Sequence, residues 1–297
     1  MSKNRIEITT SRTAEWICLC RAISSLERDR CYRGDDRVAL CLLPNFMRFL
    51  IHIPSVGRLL LKAFAAKGIY EYVIARTKYI DAVFKQALSD QFSQILVFGA
   101  GFDTRALRFQ GEARQTRIFE LDAPATQEAK IGQYQKRHLS IPSNVIFVPI
   151  DFDKESLTLK LDQAGFKRDA RNLFILEGVL MYLHPQSVDQ TFQAIQGLAG
   201  ADSEVVFDYI YASVLRREYI YYGEKGFADA VAKAGEQWRF GIEQGEIGQF
   251  LSRYGLKLLD HRDAHELEES YFKDPAGRTV GRVNGTHCLA RAVRTQS

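Results

Sequence analysis

The stretch Val97-Phe98-Gly99-Ala100-Gly101-Phe102-Asp103-Thr104-Arg105 decides the fold. It closes an apolar run, turns on two glycines and leads into a helix-like stretch. That is the context in which a Gly-x-Gly turn holds part of a nucleotide. Gly99 permits the tight turn, and Gly101 lets a ligand approach the backbone with no Cβ in the way. Such a turn also occurs for packing alone, so its surroundings must decide. The full dinucleotide fingerprint needs a third glycine at position 104, where Thr104 stands. Asp103 sets a carboxylate at the mouth of the turn, which repels a pyrophosphate and suits a ligand bearing an ammonium group.

Short apolar, β-branched runs recur outward from this turn, at 94–98, 117–121, 145–149, 173–176 and 204–209. Helical stretches separate them. Near-continuous apolar strands alternating with helices predict a buried parallel sheet of the doubly wound α/β type. Upstream, residues 11–90 read as helices. Ser11 is a candidate N-cap for the pattern Ala14, Ile17, Cys18, Leu19, Ala22, Ile23. A second helix is predicted over about 68–89. Residues 256–259 and 288–293 are strand-like, with no strong helix between them, and predict an antiparallel pair. Between them and the sheet, 211–253 reads as a helical insertion dense in aromatics that caps the open end. The expectation is one domain over 1–297: a helical lid (11–90), a ligand-binding core (91–210), a cap (211–253) and a C-terminal strand pair (254–297). A mostly parallel sheet finished by an antiparallel pair is the layout of the common S-adenosylmethionine (SAM)-binding methyltransferase fold.

Ligands of open α/β sheets sit outside the carboxyl ends of the strands. Asp122 ends the second run, 21 residues after Gly101, where an acid accepts hydrogen bonds from ribose hydroxyls. Asp151 and Phe152 follow the third run, an acceptor for the adenine amino group beside a ring to cover its face. Glu177 follows the fourth, and a carboxylate there is costly to bury unpaired. Each has a plain structural alternative, as a loop acid or a helix cap. Four strand ends converging on one edge, with the sign of Asp103, favour SAM, which carries an ammonium and a sulfonium, over NAD.

Composition narrows the partners. The 297 residues are 46% hydrophobic and 26% charged, with formal charge +4 and a pI near 8.7. Basic and acidic residues are well mixed, so no nucleic-acid stripe is expected. The most apolar stretch, 38–64, is interrupted by Pro44, Arg48, His52, Pro54 and Arg58, and no window reaches the roughly 20 clean residues of a span. It reads chiefly as buried helices, with a lid over an apolar substrate as the sharper alternative, and no membrane partner is expected. Cys18, Cys20, Cys31, Cys41 and Cys288 match no familiar zinc spacing. They read as reduced thiols of a cytoplasmic protein, and no metal is expected.

Arg76-Thr77-Lys78-Tyr79-Ile80-Asp81, the glycine turn through Arg105, Phe119-Glu120-Leu121-Asp122-Ala123-Pro124, and Glu177-Gly178-Val179-Leu180-Met181-Tyr182-Leu183 together resemble the leucine carboxyl methyltransferase family. The resemblance runs from about residue 11 to 209 and leaves the C-terminal third without a signature. It implies a class I SAM-dependent methyltransferase fold with an N-terminal helical lid. It also implies that Arg76 binds the carboxylate of SAM's methionine part. Gly99 and Gly101 line the loop, Asp122 holds the ribose, Asp151 and Phe152 the adenine, and Glu177 the methionine end. A basic residue of the N-terminal helices faces the substrate in this family, and Arg12 and Arg21 are the candidates here.

The family also contains bacterial O-methyltransferases of polyketide biosynthesis, so the expected activity is methylation of a carboxylate or hydroxyl on a small-molecule acceptor. A protein or modified-tRNA carboxylate is the variant; an NAD-dependent oxidoreductase or a non-catalytic SAM-binding protein are the other classes. A carboxylate is already ionised near neutrality and needs no base. Arg76 can reach such groups with its planar fork of donors, and Tyr182 either hydrogen-bonds the acceptor or packs in the core. A hydroxyl acceptor needs a base. His184 precedes Pro185 in an expected turn, and His261 and His265 fall in an expected loop.

Overall fold

In the computed structural model, residues 12–53, 56–57, 59–61, 65–113, 115–152, 154–233 and 237–295 are described. The proposed cap Ser11 and the side chain of Arg12 lie outside the described residues.

A seven-stranded sheet forms the centre. Its strands are β1 (Gln94–Phe98), β2 (Arg117–Asp122), β3 (Val145–Pro149), β4 (Asn172–Leu176), β5 (Glu204–Ile210), β6 (Leu256–Arg262) and β7 (His287–Arg294). The order is β3-β2-β1-β4-β5-β7-β6. β1 to β5 are parallel, and β7 runs antiparallel to both β5 and β6. The order reverses between β1 and β4, which opens a crevice at their carboxyl ends.

β1 and β4 are buried along their whole length because both faces are covered. Ile95 and Val97 share one core with α1 (Arg12–Ser24) and the long helix α4 (Ile69–Ser89). Leu96 and Phe98 share the other with α8 (Pro185–Leu198). Between α1 and α4 lie the short helices α2 (Ala39–Leu42) and α3 (Asn45–Ile51), and residues 56–57 and 59–61 are also helical. α4 repeats its inward face at Tyr72, Arg76, Tyr79 and Val83, which carries Arg76 onto the sheet. After β2 comes α6 (Pro124–Lys136), opened by a proline at its first position, where no N–H is needed. α7 (Leu157–Gln163) follows β3.

Several sequence expectations need correction. The helix after the glycine turn, α5 (Arg105–Arg108), is a single turn, because the chain leaves it again at Phe109. Residues 211–253 are only partly helical. α9 (Ala212–Leu215), α10 (Glu224–Lys233) and α11 (Ile247–Ser252) flank an extended stretch whose Ile242 bridges to Tyr211. Between β6 and β7 the structure places a helix, α12 (Ala264–Tyr271), where none was expected. Its capping box, Asp263 with Glu266, satisfies two backbone donors reciprocally and explains why so polar a segment coils. His261 therefore lies on β6 and His265 on α12, not in a loop.

Within the apolar 38–64 stretch, Ala39, Leu40, Leu42, Leu43, Ile51 and Leu61 are buried, whereas Phe46, Phe49, Leu50, Ile53 and Leu59 are exposed. The reading of buried helices holds for only part of it. Among the described residues no helix is long and apolar enough to cross a membrane. Cys18, Cys20, Cys31 and Cys288 are buried free thiols, and burial pushes Cys18 and Cys20 up to about 12.

Candidate active site at the carboxyl edge of the sheet

Gly99 and Gly101 both take positive φ, +57° and +46°. A Cβ on Gly99 would stand 2.8 Å from Val179 Cγ2, so the turn is held against the segment after β4. A Cβ on Gly101 would stand 3.2 Å from Ala14 Cβ, which places helix α1 directly over the turn. The Gly101 N–H donates to Asp122 Oδ2, and the Ala123 N–H donates to Asp122 Oδ1 at 2.6 Å. A carboxylate has about four lone-pair directions, so Asp122 keeps acceptor capacity at the end of β2. Asp151 and Phe152 follow β3: Asp151 pairs with Lys154 at 3.1 Å, and Phe152 stacks on Phe98 with centroids 6.2 Å apart.

Glu177, Asp103 and Arg76 belong to a buried network of ion pairs. Arg76 Nε lies 3.0 Å from Glu177 Oε1, and Arg76 Nη1 donates to Asp208 Oδ2 at 2.6 Å. Arg105 Nη1 bridges Glu177 Oε2 at 2.7 Å and Asp103, and Arg105 Nε reaches Asp81 Oδ1 at 2.7 Å. Arg108 grips Asp81 with two donors at 2.6 and 2.8 Å and approaches Asp36 at 3.5 Å. Arg21 closes the chain, 3.2 Å from Asp36, and donates to Phe102 O of the glycine turn at 2.5 Å. Burial opposes ionisation of Asp103 and Glu177, but the arginines outweigh it. Arg105, with Lys130 and Arg21, holds Asp103 well below the usual carboxylate range; Arg105 and Arg76 lower Glu177.

Two features of this network fit SAM. Four arginines (21, 76, 105, 108) face five carboxylates (36, 81, 103, 177, 208), so the cluster carries one excess negative charge. SAM, with an ammonium, a sulfonium and a carboxylate, carries one net positive charge. Arg105 Nη2 is buried without a hydrogen-bond partner, and so is Arg76 Nε, whose 3.0 Å approach to Glu177 is poorly aligned for one. Buried donors without acceptors are costly, and a ligand carboxylate answers that cost.

Asp103 does not face outward at the mouth of the turn. It is buried against Arg105, accepting from its backbone N–H at 2.7 Å as well. Tyr182 ends a 3-10 turn (Leu180–Tyr182) and is half-buried against the second core. Arg21, one of the two basic lid candidates, is buried in the network.

Sequence reasoning gave no role to Arg105, Arg108, Asp36, Asp81 or Asp208. Asp208 accepts three hydrogen bonds, from Arg76, Tyr72 (2.7 Å) and the Gly178 N–H (2.6 Å). Its signal was legible: it is a lone acid inside the apolar run of β5. Arg105 and Asp81 stood at the ends of motifs already singled out. Asp36 and Arg108 carried no signal.

Residues 15–196, more than half of the chain, match the leucine carboxyl methyltransferase family. The chain belongs to that family. Its relatives include YktD of Bacillus subtilis (strain 168), provisionally described as a SAM-dependent methyltransferase. The two are 26% identical over 201 residues, 68% of this chain and 66% of that one. A Mycobacterium avium (strain 104) protein with the same provisional description is 28% identical, over 64% of this chain and 63% of its own. The chain thus spans just under two thirds of the length of these relatives. Among solved structures, a protein from Thermobifida fusca YX provisionally described as a methyltransferase superposes with TM-score 0.61 at 14% identity, covering 96% and 98% of the two chains. A DUF574 family protein from Streptomyces avermitilis MA-4680 gives 0.58 at 14% identity, covering 98% and 100%. These likenesses establish the class I methyltransferase fold, and family and fold together assign SAM as the cofactor.

Proposed function

We propose that this member of the leucine carboxyl methyltransferase family transfers the SAM methyl group to an oxygen of a small-molecule acceptor, with a carboxylate as the favoured nucleophile. The observation that carries this reading is the Arg76–Glu177–Arg105 cluster, with its unsatisfied arginine donors, beside the glycine turn. SAM, when bound, supplies an electrophilic methyl group on sulfur. Asp122 would accept from ribose hydroxyls, and Asp151 with Phe152 would hold the adenine. Arg76 and Arg105 would bind the methionine carboxylate, and Glu177 the ammonium. Asp103 would act through Arg105, by fixing it. Tyr182 would position the acceptor, and the lid over Gly101 would exclude water, so that alignment does most of the catalytic work.

The surrounding titratable groups favour an acceptor that is already ionised. His287 is buried near Arg76, and burial with that positive charge lowers it to about 3, too weak a base for a phenol. Burial raises Glu120 towards 7, but Lys130 Nζ lies 2.5 Å from its carboxylate and occupies it. His184 is exposed at the N-cap position of α8, where its side chain makes no capping bond, and His261 Nε2 of β6 contacts the Tyr209 hydroxyl at 3.0 Å. A carboxylate acceptor needs none of these as a base.

Calorimetry with S-adenosylhomocysteine and NAD tests the cofactor half: the first should bind and the second should not. Methyl-labelled SAM with paired carboxylate and phenol acceptors tests the other half. A product label released as methanol in mild alkali is a methyl ester. An alkali-stable label means a hydroxyl acceptor and refutes the carboxylate reading.

A further inference from the structure

Helix α3 and its following turn are apolar on two sides, and only one side is covered. Met47 and Ile51 face the core. Phe46, Phe49, Leu50 and Ile53 fall at i, i+3, i+4 and i+7, one helical stripe, and are 64%, 74%, 38% and 44% exposed. Leu59 follows at 66%. A helix that is apolar all round is normally enclosed, and large bare apolar patches mark interaction surfaces.

The charges in the sequence on either side of the stripe say what kind of surface covers it. Residues 37–70 contain Arg37, Arg48, Arg58, Lys62 and Lys67, and no Asp or Glu at all. Elsewhere in the chain 36 acidic residues are spread among the basic ones, so the acid-free span is local. A second copy of this chain docking through the same face would set like charges against one another. An anionic surface with an apolar interior meets both features: aromatic and aliphatic side chains enter the boundary of the acyl chains while Arg and Lys stay among the headgroups.

We propose that the outer face of α3 docks the protein on an anionic lipid bilayer, lying in the interface and not spanning it. The expectation of no membrane partner rests on the lack of a spanning stretch, which a helix lying in the interface does not need. A seven-residue helix with its turn is far too short to span, yet suffices to lay a stripe of Phe, Leu and Ile on a surface. The proposal is independent of which acceptor is methylated.

The test is co-sedimentation of the full-length protein with vesicles of phosphatidylcholine alone and of equimolar phosphatidylcholine and phosphatidylglycerol. The protein should partition to the anionic vesicles and much less to the neutral ones. Partition should weaken as salt is raised, since the basic residues act within a Debye length. The double variant Phe46→Ser, Phe49→Ser should bind anionic vesicles at least roughly tenfold more weakly. S-adenosylhomocysteine affinity and Tm should be unchanged, which separates a docking defect from misfolding or a damaged site. Equal partition to neutral vesicles, no partition to anionic ones, or undiminished binding by the double variant each overturns the proposal. So does a dimer in light scattering that the same two substitutions dissolve, because α3 then meets a second copy.

Discussion

Asp208 holds more of the candidate site than any residue singled out from the sequence. Its carboxylate is fully buried and is answered by Tyr72, Arg76 and the Gly178 N–H together. Replacing Asp208 by Asn removes the charge while nearly keeping the shape, and leaves Arg76 with Glu177 as its one partner. Breaking a buried pair typically costs 3–5 kcal/mol; the remaining carboxylate puts the expected loss near the low end, about 3 kcal/mol in urea denaturation. Arg76→Lys tests the fork itself. A point charge cannot serve Glu177, Asp208 and a ligand carboxylate at once, so affinity for S-adenosylhomocysteine should fall roughly tenfold or more while the fold persists. Wild-type affinity in that variant would remove Arg76 from the cofactor site. At this scale the sequence showed which residue types gather at the strand ends, because motif spacing locates Gly99, Asp122, Asp151 and Glu177. It did not show which side chains pair. Asp103 has the right sign for an ammonium group but turns inward, because Arg105, two residues on, binds it through both its backbone N–H and its guanidinium.

Between elements, the contact that sets the crevice is the glycine turn after β1 against the segment after β4. Gly99 has positive φ and only 2.8 Å between an added Cβ and Val179 Cγ2. Gly99→Ala therefore meets a steric and a backbone penalty together, about 1–3 kcal/mol. Trimming the neighbour with Val179→Ala should return the steric part and leave the backbone part. Thermal unfolding of the two single variants and the double variant measures this as a coupling energy. Additive losses would mean that the two segments do not press on each other. The central strands were legible because burial on both faces leaves runs such as 95–98 and 173–176 apolar throughout, a pattern that does not depend on partners. Helix α12 was missed because it is held by its capping box more than by an apolar stripe. The insertion at 211–253 was read as wholly helical because aromatic density says that a segment packs, not how it coils.

For the whole molecule, the mostly parallel sheet ending in an antiparallel pair was legible in the succession of strands and helices, whereas the strand order and the charge balance of the N-terminal segment against the sheet need three dimensions. Arg21, Asp36, Arg76 and Asp81, all N-terminal to β1, are threaded through Asp103, Arg105, Arg108, Glu177 and Asp208. Stability should carry two contributions that acid removes. The first belongs to His287, buried with its ring 4.4 Å from Tyr72 and its Nδ1 2.7 Å from Thr286 Oγ1. Burial, then the charge of Arg76, lowers it from 6.5 to about 3. Between these values the unfolded chain binds a proton that the folded chain refuses, so stability falls as pH drops below about 6.5 and this effect levels off near 3. For one such group the loss by pH 5 is about 2 kcal/mol. Asp103 and Glu177 are lowered instead, so their contribution is complete above the ordinary carboxylate pKa of about 4 and is lost only below it. Urea denaturation at pH 7.5, 6 and 5 is compared between the wild type and His287→Asn, because Glu120, which burial raises towards 7, binds a proton on folding in the same window and offsets the loss in both. His287→Asn keeps a polar group beside Thr286 but removes the titration, so, although less stable at pH 7.5, it should lose about 2 kcal/mol less than the wild type by pH 5. A variant whose pH dependence matches that of the wild type would assign the first contribution to another group.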